Sequence, residues 1–109
     1  MCVFCRIVKG EASGEIVYQD EEVTAFRDIN PKAPTHILVV PNRHIRSLAY
    51  VEPEDTLLLG RLLQVAKGLA DQEGIERSGY RLVMNCGYGA GQVVNHLHFH
   101  LLGGWHLGW

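Results

Sequence analysis

The stretch His96-Leu97-His98-Phe99-His100-Leu101-Leu102 places three histidines two residues apart with apolar residues between them. Along a β-strand alternate side chains share a face, so three imidazoles would project in a row while Leu97, Phe99 and Leu101 enter the core behind them. On a helix the same residues would scatter around the axis. The pattern predicts a strand over 93–102, and a strand needs partners. Residues 80–85 read as one, joined to the histidine strand through a turn rich in glycine (Gly87, Gly89, Gly91). The β-branched and aliphatic run at 36–40, stopped by Pro41, predicts a central strand buried on both faces. Segments 16–19 and 23–28, parted by Asp20, Glu21 and Glu22, predict a hairpin with Val23, Ala25 and Arg27 on one face and Thr24, Phe26 and Asp28 on the other. Pro31 and Pro34 make the following segment a loop.

Leu57, Leu58, Leu62, Val65, Ala66 and Leu69 recur at helical spacing, which predicts one long helix over 53–72. Pro53 suits its first turn, Glu52, Glu54 and Asp55 suit its positive end, and Gly74 suits its stop. Val3, Phe4, Ile7 and Val8 predict a short helix over 2–9 ending at Gly10. The order implies an α+β fold: a mainly antiparallel sheet with one long helix packed on it and a short N-terminal helix.

The chain has 109 residues, 47% of them hydrophobic, which is room for a single domain over 1–109 and not for a second. Ten Lys plus Arg against twelve Asp plus Glu give a formal charge of −2 with no basic cluster, so nucleic acid is not an expected partner. No segment approaches the roughly 20 apolar residues that span a bilayer, so no membrane is expected. The first residues lack the form of a secretory signal, and three cysteines are too few and odd in number for a disulfide framework. A cytoplasmic protein with reduced thiols is the expectation.

Three readings compete for the histidine face. Neighbouring imidazoles on one strand face rise about 6.6 Å apart, too far for all three to hold one ion easily. Histidines satisfied by backbone carbonyls would explain one such residue better than three in register. The third reading is catalytic, with one imidazole as nucleophile or base and its neighbours fixing its tautomer and binding an anion.

The run 96–102 resembles the HxHxH signature of the histidine triad nucleotide-binding family. Phe26-Arg27-Asp28-Ile29-Asn30-Pro31, Ala33-Pro34-Thr35-His36, Asn85-Cys86-Gly87 and Gly91-Gln92 fall where that family's other blocks fall, so the likeness covers essentially the whole chain. Leu102-Gly103-Gly104, with Trp109 beyond it, resembles the Hint branch of purine nucleoside phosphoramidases. The resemblance implies the HIT-like fold and hydrolysis of the P–N bond of a nucleoside 5′-phosphoramidate, with an AMP- or GMP-like purine nucleotide as substrate. His98 would be the nucleophile that carries the nucleotidyl group. His96 would hold its tautomer through a backbone carbonyl, and His100 and His36 would donate toward phosphate or leaving group. Asn85, Gln92 and the backbone at Gly89 and Gly91 would meet the phosphate, and Asp28 the ribose hydroxyls. Val3, Phe4, Ile7, Phe26, Ile29 and Leu38 would wall the base pocket, with Trp109 also on the substrate side. The same resemblance implies a homodimer whose C-terminus reaches the partner's site. Two other readings stay open: hydrolysis of dinucleoside polyphosphates or nucleotidyl transfer, and a nucleotide-binding interaction protein without turnover. The sequence departs from many Hint members at Val93, where a serine is common, at Trp105, where a basic residue is common, and in its ending at Trp109.

Cys2 and Cys5, in CxxC spacing, can chelate Zn²⁺ from one turn, but two ligands do not close a tetrahedral site. Resemblance to zinc-binding bacterial members supplies the other two, His44 and His96. Such a site would be structural, with four protein ligands and no place for a catalytic water. The alternative is that both cysteines are small apolar residues of a short helix. A thioredoxin-like role would need a βαβ unit that the pattern lacks. The spaced glycines precede a strand where a dinucleotide fingerprint needs a helix, so no organic cofactor is expected.

Overall fold

The computed structural model describes residues 1–108; Trp109 lies outside the described residues. Five strands, β1 (Ile16–Gln19), β2 (Val23–Arg27), β3 (Thr35–Pro41), β4 (Tyr80–Val83) and β5 (Phe99–Gly103), form one sheet in the order β1-β2-β3-β5-β4. Every neighbouring pair is antiparallel. Helix α1 (Val3–Val8) and helix α2 (Thr56–Gln72) complete the α+β architecture expected from the pattern. No described helix is long and apolar enough to cross a membrane.

β3 is the axis of the molecule, buried along all seven residues. Period-two alternation divides the sheet between two partners. Val23, Ala25, Ile37, Val39 and Leu101 pack on Leu62, Val65, Ala66, Leu69 and Ala70 of α2, together with Ile45, Ile75 and Leu97. On the opposite face Phe26, Leu38 and Val40 pack on Phe4 and Ile7 of α1. The register sets Phe26 beside Leu38 and Leu38 beside His100, so the small second core runs directly into the histidine site.

The local signals explain the ends of the elements. The Cys2 thiol caps α1 by accepting from the Cys5 amide, and Gly10 leaves the helix with φ of 77°, a region that favours glycine. Asp20 closes the β1–β2 hairpin through its carboxylate, which accepts from the amides of Glu22 and Val23. The long helix begins with a 3-10 turn at Pro53–Asp55 before α2 proper.

Two strand boundaries differ from expectation. The strand predicted over 93–102 starts only at Phe99, so among the three histidines His100 alone belongs to the ladder. The chain bends at Gly91 (φ of 90°), and the Leu97 amide donates to the Ile45 carbonyl at 2.7 Å, outside the sheet. The strand predicted over 80–85 ends at Val83, which leaves Asn85 on the following loop.

Leu62 has no exposed surface and lies between α2 and the sheet. Leu62→Ala should cost about 3 kcal/mol, the usual range for a leucine-sized cavity in a packed core. Urea denaturation of both proteins checks this; a loss below about 1 kcal/mol would mean that α2 is not seated as described.

Candidate active site

A cavity of about 1080 Å³ opens on the α1 side of the sheet. Its floor is the histidine segment and its rim is loop. His36 and His98 are buried and His100 half-buried, whereas Ile29, Lys32 and Val93 at the edge are exposed. Of the expected site residues, Val3, Phe4, Ile7, Phe26, Asp28, Ile29, His36, Leu38, Asn85, Gly91, His98 and His100 all line it. Phe4 stands edge-on to both Phe26 and His98, with ring centroids 5.2 and 5.1 Å apart. An apolar slot suited to a flat ring therefore adjoins the imidazoles.

Hydrogen bonds to the backbone fix the tautomers. His98 Nδ1–H donates to the His96 carbonyl at 2.6 Å, which leaves Nε2 as the nitrogen with a free lone pair. His36 Nδ1 accepts from the Lys32 amide at 3.0 Å, so the His36 proton is on Nε2, 2.9 Å from His100 Nδ1. His100 accepts that proton's hydrogen bond at Nδ1 and keeps its own proton on Nε2. The result is an acceptor at His98 and a donor at His100, with ring centroids 5.0 Å apart. Asp28 Oδ2 lies 3.3 Å from His36 Nε2, and Oδ1 accepts from the Asn30 amide. Asn85 makes no side-chain hydrogen bond among the described residues.

Burial favours the neutral imidazole. It is the first cause of the downward shifts of His36 and His98, and it takes His100 down to about 4 with help from His98 and His36. At neutral pH the site is a set of uncharged rings with assigned donors and acceptors.

Two expected phosphate contacts, Gln92 and Gly89, are placed differently, and the His96 imidazole leaves the row of three that a strand over 93–102 implied, while its carbonyl meets His98 as the resemblance implied. The Gln92 amide is 5% exposed and does not line this cavity. Its Nε2 donates to the carbonyls of Arg46 and Val94, and its Oε1 accepts from the Gly87 amide, so it braces the loop and has no donor left for phosphate. Gly89 likewise stays outside the cavity. The His96 imidazole turns away from it toward the N-terminus, and only its carbonyl serves His98. The cavity also includes residues that the sequence did not single out, among them Ser13, Glu15, Arg27 and Lys32. Arg27 and Lys32 neighbour Asp28 and the proline loop in the sequence, whereas Ser13 and Glu15 carried no such signal.

Cys2, Cys5, His44 and His96 bring four ligand atoms within 4.8 Å of one another. The two sulfurs are 3.4 Å apart, the sulfur–nitrogen distances run from 3.3 to 3.6 Å, and the two Nδ1 atoms are 3.2 Å apart. A zinc tetrahedron with ordinary Zn–S and Zn–N bonds has edges of about 3.8, 3.5 and 3.3 Å. His96 Nε2–H donates to the Pro41 carbonyl at 2.8 Å, which frees Nδ1 for a metal, as in other histidine–metal sites with a second hydrogen-bonded shell. The donor set and its spacing fit Zn²⁺. A second group, Asp28, His36 and His100, is equally close but fits poorly, because His36 Nε2 carries a proton while the Lys32 amide occupies Nδ1.

With this geometry in place, the similarity to known proteins becomes informative. A family model described as the scavenger mRNA decapping enzyme C-terminal binding domain matches residues 1–106. The crystal structure of a HIT family hydrolase from Legionella pneumophila superposes with a TM-score of 0.98 at 47% identity, covering 100% of this chain and 97% of that one. The chain belongs to the histidine triad family, in its Hint branch. This histidine triad chain is also 52% identical over 106 residues to the purine nucleoside phosphoramidase of Escherichia coli K12, covering 97% of this chain and 89% of that protein. It is 50% identical over 109 residues to a 14 kDa zinc-binding protein of Zea mays, covering 98% and 84%.

The buried imidazoles give a pH dependence of stability. His100 faces His98, His36 and Lys32, which oppose its protonation, and Asp28, which favours it. Between pH 6.5 and about 4 the unfolded chain binds a proton here that the folded chain does not, so this group lowers stability as pH falls through that window and has no effect above it. The urea midpoint should drop from pH 7 to pH 4.5, and drop less steeply in His100→Gln. An equal slope in the two proteins would refute the assignment.

Proposed function

We propose that the protein hydrolyses the P–N bond of purine nucleoside 5′-phosphoramidates through a covalent nucleotidyl-His98 intermediate. The observation that carries this is the His98 Nδ1–H hydrogen bond to the His96 carbonyl, which presents a neutral Nε2 lone pair at the floor of a nucleotide-sized cavity. Identity of 52% to a purine nucleoside phosphoramidase supports the same reading.

The purine lies in the slot of Phe4, Ile7, Phe26 and Leu38, with Ile29 at its exposed edge. Asp28 accepts from the ribose hydroxyls, for which a carboxylate is suited. His98 Nε2 attacks phosphorus. As the new N–P bond forms, the P–N bond to the amine breaks, and the amine takes the electron pair and a proton from solvent. His100 Nε2–H, held by His36, donates to a phosphoryl oxygen with Asn85 and the Gly91 backbone beside it. Water then attacks the same phosphorus, the His98 Nε2–P bond breaks with its electron pair returning to the ring, and the water's proton passes to solvent as the nucleoside monophosphate leaves, which restores neutral His98.

Cys2, Cys5, His44 and His96 would hold one structural Zn²⁺, which would pin α1 to the segment that carries His98. Four protein ligands leave it no open position, so the metal supplies rigidity and no chemistry. We place the enzyme in the cytoplasm, where these thiols stay reduced, as a homodimer of single 1–109 domains. Support for the dimer is the apolar C-terminal segment of the sequence together with the family resemblance.

Release of amine from an adenosine phosphoramidate should fall at least 10³-fold in His98→Ala, on the order reported for loss of a covalent nucleophile, with AMP affinity changed little. Wild-type protein that binds AMP and releases no amine would favour a nucleotide-binding role without turnover. Faster cleavage of a diadenosine polyphosphate than of the phosphoramidate would favour the other hydrolase reading. Elemental analysis should give one zinc per chain, falling in Cys5→Ser; a metal-free, fully folded wild type would remove the zinc site.

A further inference from the structure

Glu73 ends α2 as its C-cap residue, with its amide donating to the Leu69 carbonyl at 2.9 Å. A helix C-terminus carries partial negative charge, so a carboxylate there sits at the unfavourable end of the dipole. The last turn of α2 holds no basic residue to offset it. The helix itself gains nothing from an acid at this position, and the partners of that acid lie across the interface with the sheet.

Arg27, the last residue of β2, donates from Nη1 and Nη2 to the two carboxylate oxygens of Glu73 at 2.9 and 3.0 Å. Thr35, the first residue of β3, donates its hydroxyl to Glu73 Oε1 at 3.3 Å. A bidentate pair fixes orientation as well as distance. The hydrogen bonds from Arg27 hold the Glu73 carboxyl below its usual range, so it is charged at neutral pH. One carboxylate therefore grips both stems of loop 28–34.

Each gripped residue immediately precedes a residue of the site. Thr35 shares the α2 face of β3 with Ile37, and His36 shares the cavity face with Leu38. Arg27 is the register partner of Ile37, and Asp28, the next residue, lines the cavity. Beyond that pair the Asp28 amide donates to the His36 carbonyl at 2.9 Å, and Asp28 Oδ2 lies 3.3 Å from His36 Nε2. Loop 28–34 also supplies the Lys32 amide from which His36 Nδ1 accepts. Glu73 does not line the cavity, so whatever it does there passes through these two stems.

We propose that Glu73 is a positioning residue for the ribose end of the site: from the far face of the sheet it clamps both stems of loop 28–34 and so aims the Asp28 carboxylate at the ribose hydroxyls. The inference rests on the nucleotide reading above, in which Asp28 accepts from those hydroxyls. Glu73 touches no substrate atom and takes part in no bond that forms or breaks.

Titration calorimetry with AMP and with 2′,3′-dideoxyadenosine 5′-monophosphate tests this, because the two ligands differ only in the ribose hydroxyls. Wild type should favour AMP by about tenfold or more, the effect of a hydrogen bond to a charged group. Glu73→Ala should lose most of that preference, with affinity for the dideoxy nucleotide nearly unchanged. Glu73→Gln, which keeps an acceptor oxygen but no charge, should fall between the two and reads the same effect with less disturbance of the fold. Leu62→Ala, destabilised in the core away from the clamp, should keep the full preference, which separates positioning from general loosening. In an Asp28→Ala background, adding Glu73→Ala should change the ratio no further. A full preference in both Glu73 variants, or an equal loss in Leu62→Ala, overturns the clamp. Wild type that binds the two ligands equally overturns the ribose role of Asp28 and the clamp with it, a result distinct from a preference that wild type shows and the Glu73 variants keep.

Discussion

The hydrogen bond from His98 Nδ1–H to the carbonyl of His96 is the contact on which the site depends. A buried imidazole can carry its proton on either nitrogen, and only one choice leaves a lone pair facing a substrate. A backbone carbonyl does not titrate, and burial lowers the His98 pKa, which favours the neutral ring with this tautomer. The carbonyl must itself be held, and His96 is held from three directions. Its Nε2–H reaches the Pro41 carbonyl at the end of β3, its Nδ1 faces the cysteines of the N-terminal turn, and its ring meets Phe4 edge-on with centroids 5.8 Å apart. The segment that carries His98, the central strand and the first helix are thereby tied at one residue.

The sheet supplies the frame for that joint through a division of labour between its faces. The α2 face is filled with aliphatic side chains from both layers and carries the larger hydrophobic core. The α1 face has a smaller core, because a helix of six residues covers only part of it. Where α1 stops covering the sheet, the cavity begins. Such a short helix has little stability of its own, so its position depends on Phe4 and Ile7 packing and on the cluster that begins at Cys2.

Electrostatically the site is built from neutral groups whose polarity is assigned by neighbours. Burial disfavours charge on His36, His98 and His100, and the neighbouring carboxylate of Asp28 is already engaged with His36 and with the Asn30 amide. The relay from the Lys32 amide through His36 to His100 sets a donor where a phosphoryl oxygen would sit, without needing a cation there. Neutral donors oriented in advance can stabilise charge that develops on a bound oxygen. The same logic separates the two metal-like clusters. His96 has a proton on the nitrogen away from its cluster, and His36 has one on the nitrogen inside its cluster.

The fold class was legible in the sequence because periodicity records which face of each element is buried. The continuous aliphatic run of β3, the helical spacing from Leu58 to Leu69 and the alternation of Thr24 and Phe26 with Val23 and Ala25 all report burial directly. The histidine triad and the CxxC pair were legible as residue types with a spacing that chemistry can use. What the spacing could not give was the course of the backbone between 91 and 98, where side-chain alternation suggested a strand and the chain instead bends to meet Ile45 and Pro41. The roles of His96 and Gln92 were decided there. A sequence names side chains, whereas tautomer and orientation are set by backbone carbonyls and amides with no letter of their own: Pro41 and His96 by their oxygens, Lys32 by its nitrogen. Residue types and period are local properties and determined the fold class and the cast of the site; the assignment of each imidazole required groups distant in the chain to meet, which only the tertiary structure decides.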